Sequence, residues 1–221
     1  MPALVNVGGL SGVRETQLAA CGRAPPSPRR PSRPAPRAIE LDPGFATAYG
    51  AAARCYSHLK GQGWSGDSDW EEGEVRRLAL RVSTIGHDDA LALCSAGYAL
   101  ARVCRETGTG AGLVDQALSI NPNLAVGWAN RGGISVFLGQ HEAGIKQLTR
   151  GLPLNPLDAE IYWSEMYLAY AHLFQGRHDE ALGWATRALT HRPNYRWTTL
   201  VLLLAKRSPE MLREPVKSFP G

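Results

Sequence analysis

Three prolines divide the second half of the chain at nearly regular intervals. Pro122, Pro156 and Pro193 follow one another at spacings that are almost equal. Each proline closes a segment of the same plan: a helix-like stretch, a glycine turn, a second helix-like stretch and a short polar turn. A period of about 34 residues is typical of stacked helical hairpins, each of which buries its apolar face against its neighbours. The period therefore predicts an all-α fold that serves as a binding scaffold rather than as an enzyme.

The positive charge of the chain is concentrated at its amino end. The formal net charge is +4, but residues 1–37 carry six Arg and one Glu, whereas residues 38–221 carry 18 Lys and Arg against 19 Asp and Glu. A nearly neutral folded part argues against a basic face for nucleic acid. The longest apolar run, residues 200–205, is far shorter than the roughly 18 residues of a membrane span. We therefore expect neither nucleic acid nor a membrane as a partner, and a cytoplasmic location.

The composition predicts where the helical part begins and ends. Residues 24–37 contain six prolines and four arginines, and proline removes backbone donors and fixes φ. From Ala38 the segment AIELDP resembles the last turn of a repeat whose earlier helix is missing. We predict a disordered leader over residues 1–37, a helical repeat domain over 38–206 and a flexible tail over 207–221. The leader is interpreted as foreign to the repeats, as a misassigned start or a shifted reading frame would produce.

The helical pattern extends beyond the three prolines in both directions. Residues 45–60 repeat apolar side chains at three- and four-residue steps, which predicts a helix. Residues 106–112 (ETGTGAG) are predicted as a turn between helices, followed by a second helix over residues 113–120. Residues 195–205 look like the first helix of a hairpin that has no second helix. The sequence thus predicts about four hairpins plus an unpaired C-terminal helix.

That final helix carries several leucines with no predicted partner helix. An open end of a repeat array leaves apolar surface in water unless a polar helix covers it. We therefore expect self-association through the uncapped ends of the array. The side chains expected to be partly exposed are Leu200, Leu202, Leu203 and Leu204.

The spacing of small and aromatic residues resembles the tetratricopeptide repeat family. The matching positions of one repeat are Trp128, Gly132, Gly139, Gly144, Gly151 and Pro156. Those of the next are Glu165, Ala169, Gly176, Ala181, Ala188 and Pro193, with a glutamate where the family has an aromatic. Small residues let antiparallel helices approach closely, and glycine reverses the chain between them. The resemblance implies a right-handed solenoid of antiparallel helical hairpins that binds another protein.

Three phrases are similar to the repeat region of bacterial multidomain regulators: AIELDPGFATAYGAAARCY, DDALALCSAGYAL and ALSINPNLAVGW. In those regulators the repeats follow a class III adenylate/guanylate cyclase domain or a winged-helix DNA-binding domain. The resemblance implies the regulatory part of a larger bacterial signalling protein. The alternative is a truncated fragment of a cyclase-type protein that lacks the catalytic domain. The chain supplies no paired metal-binding aspartates on strands, so we assign it no cyclase activity.

The sequence contains no residue pattern that indicates catalysis, a cofactor or a metal. The four cysteines form no CxxC pair and have no metal-ligand spacing with a histidine. The glycines of residues 106–112 follow a predicted helix rather than a strand, which argues against a phosphate-binding loop. His141 and His178 occupy equivalent places in successive repeats, where the family commonly has an aromatic, so we interpret them as packing residues. We predict that the chain is not an enzyme and needs no cofactor.

The resemblance also implies a peptide groove along the first helix of each hairpin. The groove would be basic in its N-terminal half and aromatic in its C-terminal half. Such a groove suits an amphipathic helix or an extended peptide with acidic residues at one end. The alternative is that the helix over residues 163–174 is simply buried on all sides. The candidate groove residues are Arg54, Tyr98, Arg102, Phe137, Trp163, Met166, Tyr170 and Phe174.

Overall fold

A computed structural model describes residues 36–62, 68–193 and 195–206. Within these residues the chain forms ten α-helices and no strand, so the predicted all-α fold is confirmed. None of these helices is both long and apolar enough to span a membrane. Most of the predicted leader and the whole predicted tail lie outside the described residues. The helices are α1 (Pro36–Leu41), α2 (Ala46–Gln62), α3 (Ser68–Ile85), α4 (Ala90–Val103), α5 (Thr107–Ile120), α6 (Ala125–Phe137), α7 (His141–Gly151), α8 (Ile161–Phe174), α9 (His178–His191) and α10 (Arg196–Lys206).

The chain divides into two compact units, residues 1–127 and residues 128–221, and the division falls inside α6. In the N-terminal unit α2 packs on α3 and α4, and α4 packs on α5. Its largest fully buried side chains include Tyr56, Leu78 and Leu93, one from each of α2, α3 and α4. The N-terminal unit is therefore built from two helical hairpins, α2 with α3 and α4 with α5.

Close packing in the N-terminal unit joins α4 to α5 through two glycines. A Cβ atom on Gly97 would lie 2.6 Å from the carbonyl oxygen of Gly110, and one on Gly110 would lie 2.4 Å from the carbonyl oxygen of Gly97. The turn predicted over residues 106–112 is therefore wrong, because α5 already begins at Thr107. The turn is shorter and contains Arg105, whose φ is 61°. Glycine lowers helix propensity, but here its missing side chain is what allows the two backbones to approach.

In the C-terminal unit, α7 approaches α6 through glycines that belong to the repeat pattern. A Cβ on Gly132 would lie 2.5 Å from Cγ of Leu148, and one on Gly144 would lie 2.8 Å from Cγ2 of Val136. Gly139 and Gly176, at φ of 74° and 73°, follow α6 and α8 and adopt the left-handed conformation that reverses the chain. The C-terminal unit thus consists of the hairpins α6–α7 and α8–α9, followed by α10.

The final helix packs against both α8 and α9. Its buried positions are Thr198, Val201 and Ala205, which lie on one face. On the opposite face Leu200 is 42% exposed and Leu203 is 57% exposed, which confirms the predicted partial exposure of these side chains. The structure therefore places an unpartnered apolar stripe at this end of the C-terminal unit, within the described residues.

Candidate functional site

The aromatic side chains of α8 are divided between the core and the surface. Tyr162, Met166 and Tyr167 are buried, and they pack with Val136 and Leu148 of the preceding hairpin. Trp163 and Tyr170 of the same helix are half-buried at the edge of that core. Because side chains three and four residues apart share a face, Trp163 and Tyr170 lie on the same stripe of α8 as Met166 and Tyr167. The half-buried rings therefore differ from the buried ones in how far neighbouring side chains cover them, and they form a partly open aromatic surface at the edge of the core.

Two phenylalanines at helix ends are the most exposed rings of this surface. Phe137 ends α6 and is 45% exposed, and its ring meets the edge of Tyr167 at a centroid distance of 5.4 Å. Phe174 ends α8 and is 64% exposed. The other side chains of residues 163–174 are buried or half-buried, so this stretch is close to the alternative of a helix buried on all sides. The ring of Phe174 stacks on Tyr170 at 6.1 Å and on His141 at 5.3 Å. We refer to five side chains together as the aromatic surface: Phe137, His141, Trp163, Tyr170 and Phe174.

The structure places the other predicted groove residues elsewhere. Met166 is buried in the core of the C-terminal unit, and Tyr98 is buried in the N-terminal unit, so neither side chain is open to a ligand. Arg54 and Arg102 are half-buried side chains of the N-terminal unit. Arg102 Nε donates to the backbone oxygen of Ser57 at 3.4 Å. Of the predicted residues, four therefore lie on the aromatic surface: Phe137, Trp163, Tyr170 and Phe174.

A polar contact fixes one border of the aromatic surface. Arg177, in the turn before α9, forms an ion pair with Glu142 in the first turn of α7. Gln175 Nε2 donates to the same Glu142 carboxylate at 3.1 Å. The hydrogen bond from Arg177 holds the pKa of Glu142 below its usual value. This contact ties the start of α7 to the end of α8, where His141 meets Phe174.

The sequence predicted only a packing role for His141, not a place on the aromatic surface. Its stacking on Phe174 agrees with that packing interpretation, and it adds a half-buried ring to the aromatic surface. The repeat register matches His141 with His178, and Phe174 with Phe137, so this contact does not join matching places of adjacent hairpins. No signal in the sequence indicated the contact of His141 with Phe174 or that of Glu142 with Arg177.

The glutamate that departs from the repeat pattern is fully buried. Glu165 Oε1 lies 2.6 Å from Arg187 Nε, and Glu165 Oε2 lies 2.9 Å from His191 Nδ1. In the preceding hairpin Arg150, which occupies the place of Arg187, lies over the ring of Trp128 at 4.0 Å. The separation between arginine and partner along the chain is the same in both pairs. The second helix of each hairpin thus supplies an arginine that meets an aromatic ring in one case and a carboxylate in the other.

We expect acidification to destabilise the C-terminal unit through His172 of α8. Burial, with a contribution from the positive charge of Arg177, lowers the pKa of this side chain. The unfolded chain therefore binds the proton more readily, so stability is greatest where the ring is neutral in both states and falls as the pH drops below about 6.5. The melting temperature should fall less between pH 7.5 and pH 5.5 in His172→Gln than in the wild type. His87→Gln, at an exposed turn, is the matched control, and equal slopes in all three proteins would contradict the assignment.

The described residues show no group suited to holding a metal ion. Among them, no set of three His, Cys, Asp or Glu side chains is placed to do so. Burial raises the pKa of the Cys104 thiol to about 11, so this group stays protonated near neutral pH. What the C-terminal unit does offer is a row of partly open rings, which can bind apolar and aromatic side chains.

Comparison with known proteins identifies the fold. No family model matches the chain, and no curated protein sequence matches it. Its structure is similar to that of TTC0263, a tetratricopeptide repeat protein of Thermus thermophilus, with a TM-score of 0.57 and 19% identity over 90% of this chain and 94% of that one. It is also similar to MamA, with a TM-score of 0.50 and 14% identity over 86% of this chain and 96% of that one. The likeness to YrrB, described as a tetratricopeptide repeat protein with an unusual peptide-binding site, has a TM-score of 0.50 and 16% identity over 87% of this chain and 86% of that one. The chain therefore has a fold of the tetratricopeptide repeat type.

Proposed function

We propose that the chain is a non-catalytic scaffold that holds a peptide segment of another protein on the aromatic surface. The observation that carries the proposal is the exposure of Phe137 and Phe174 at the ends of two first helices. Exposed aromatic side chains next to a packed core are the residue types that dominate binding energy at protein interfaces. YrrB, which has a similar fold, is described as having a peptide-binding site. Fold and surface together support peptide binding.

The chemistry of the surface indicates what such a peptide contains. Its rings are apolar, and Trp163 and Tyr170 are held by the core behind them, so little side-chain freedom is lost on binding. The bordering Glu142 and Arg177 are paired with each other. We therefore propose a peptide whose apolar or aromatic side chains, spaced as on one face of a helix, supply the anchors.

The test is a peptide selection followed by substitution of the exposed rings. A random peptide library is selected on the immobilised full-length chain, and the affinity of the enriched peptides is then measured by fluorescence anisotropy. Phe174→Ala and Phe137→Ala should each weaken binding by about tenfold or more, as expected for an interfacial aromatic anchor. Because both side chains are exposed, the variants should keep the melting temperature of the wild type.

The matched control is Leu157→Ala, which removes a leucine of the C-terminal unit that is 90% exposed and lies before α8. This change should leave the affinity of the selected peptides unchanged. Failure to enrich any peptide, or peptides whose affinity is the same for all three variants, would contradict the proposed function.

We infer further that the repeats serve as the regulatory part of a bacterial signalling protein. The support is the likeness of three sequence phrases to the repeat region of cyclase-type and winged-helix regulators. One of these phrases, ALSINPNLAVGW, forms the end of α5, the following turn and the start of α6. The genomic DNA on either side of the gene tests this. An in-frame cyclase or winged-helix domain would support it, and flanking genes that encode neither would refute it.

A further inference from the structure

The outer face of α10 combines exposed leucines with positive charges. Successive residues of a helix are rotated by about 100°, so Arg196, Leu200, Leu203 and Lys206 fall within one stripe. All four are exposed, and the stripe lies opposite the buried residue Val201. The two leucines are thus flanked along the helix by one cation at each end. We call this stripe the outer face of α10.

The surroundings of this face carry the same sign of charge. Residues 188–206 contain three cationic side chains and no aspartate or glutamate. Arg192 and Arg196 are exposed, and the guanidinium of Arg196 lies over the ring of Trp197 at 4.7 Å. An arginine that stacks on an aromatic ring keeps its full positive charge. The end of the C-terminal unit is therefore both apolar and positive, unlike the aromatic surface.

The repeat register shows that the outer face does not suit another hairpin helix of the regular kind. Gly132 lies as many residues after Pro122 as Leu203 lies after Pro193. Gly132 of α6 and Leu203 of α10 therefore occupy corresponding positions of the repeat. At Gly132 a Cβ atom would already lie 2.5 Å from a side-chain atom of α7. A leucine at this position keeps an approaching helix farther away and presents its own apolar side chain instead. The outer face is thus shaped for a looser contact than the one between α6 and α7.

We propose that the outer face of α10 binds an acidic amphipathic helix of a separate partner protein. Apolar side chains of that helix pack on Leu200 and Leu203, and its carboxylates lie near Arg196 and Lys206. Charge complementarity decides between occupants. A second copy of α10 would bring cations against cations, and residues 207–221 carry three cations and two acids, so neither offers the required charge. An anionic membrane is less favoured, because an interfacial helix presents a long apolar face and this one presents two leucines.

The inference is tested with a designed probe and the full-length chain. The probe is a fluorescein-labelled helical peptide of about 18 residues, with leucines at i, i+3, i+4 and i+7 and glutamates at most other positions. Its affinity should fall by about tenfold or more for Arg196→Glu/Lys206→Glu, for Leu203→Ser, and for a sister peptide in which glutamine replaces glutamate. Lys146→Glu, at an exposed site of α7, and Leu157→Ser are the matched controls and should leave the affinity unchanged.

Phe137→Ala and Phe174→Ala should also leave the probe's affinity unchanged, which separates this inference from the proposed peptide site. Several results would overturn it: no binding of the acidic probe, equal binding of the glutamine peptide, or equal binding by the charge-reversed variant. Sedimentation that shows a dimer lost in Leu203→Ser would assign the face to a second copy. Binding to vesicles of anionic phospholipid that Leu203→Ser abolishes would assign it to a membrane. A tenfold gain in affinity on Met211→Asp/Leu212→Asp would assign it to the carboxyl-terminal segment.

Discussion

Replacing Gly97 by alanine is expected to destabilise the N-terminal unit by about 2–3 kcal/mol. The added methyl group would lie 2.6 Å from the carbonyl oxygen of Gly110 and 2.9 Å from Cβ of Leu113. Both atoms are too close to the helix backbone of α5 to move away by a side-chain rotation, so α4 and α5 would have to separate. Separation opens gaps beside Val114, a fully buried side chain of α5. Gly110→Ala should have a similar effect, because its Cβ would lie 2.4 Å from the carbonyl oxygen of Gly97.

The matched control is Gly112→Ala in the same helix as Gly110. Gly112 is exposed, and a Cβ placed there would have no neighbour within 4 Å. Alanine should therefore stabilise α5 by about 0.5–1 kcal/mol through its higher helix propensity. Urea unfolding followed by circular dichroism measures all three variants, and hydrogen exchange of residues 90–120 locates the change. If Gly97→Ala and Gly112→Ala shifted the unfolding midpoint in the same direction, the close packing of α4 on α5 would be wrong.

Replacing Arg187 by methionine is expected to cost the C-terminal unit about 2–3 kcal/mol of stability. Methionine keeps much of the apolar stem but leaves the buried carboxylate of Glu165 with the imidazole of His191 as its remaining side-chain partner. An unpaired buried carboxylate is costly because it has lost its hydration. The expected cost is below that of a fully buried pair, because the Arg187 side chain is 54% exposed and solvent screens its charge.

A double-mutant cycle separates the ion pair from the packing of the arginine stem. On a Glu165→Gln background, Arg187→Met should cost less than about 1 kcal/mol, since no buried charge remains to be stranded. Arg192→Met is the comparison for an exposed arginine near a ring, where the guanidinium lies 5.3 Å from the centroid of Tyr162. Thermal unfolding of the four proteins of the cycle provides the measurement. An equal cost of Arg187→Met on both backgrounds would show that the pair contributes nothing.

The repeat period predicted the fold because it records contacts that recur from hairpin to hairpin. Gly132 and Gly144 were identified by their match to the tetratricopeptide repeat pattern, and both lie where α6 and α7 approach closely. The exposed leucines of the last helix followed from the same pattern, since its spacing left that helix without a partner. The right-handed twist of the array remains a prediction from the family resemblance.

The errors came from a misleading local signal and from burial. Gly110 was assigned to a turn because three glycines within seven residues are a turn signal. Its contact with Gly97 nevertheless recurs in the next hairpin, where Cβ atoms on Gly132 and Gly144 would lie 3.1 Å and 3.2 Å from the other's carbonyl oxygen. Met166 was assigned to the groove, but its side chain packs into the core. The assignment failed because the position of a residue along the first helix of a repeat does not determine how far its side chain is covered. The partners of Glu165 are Arg187 and His191, which lie on the next helix. Their pairing depends on burial of the carboxylate, which no spacing records.

Successive hairpins have an arginine at the same position of their second helix, and this arginine contacts the same position of the first helix in both. Arg150 meets the indole of Trp128, and Arg187 meets the carboxylate of Glu165, at the same separation along the chain. A guanidinium can stack on a ring and can also pair with a carboxylate, which an ammonium group does less well. Within this chain, one arginine position of the second helix thus stabilises two chemically different residues of the first helix, a half-buried indole and a fully buried carboxylate.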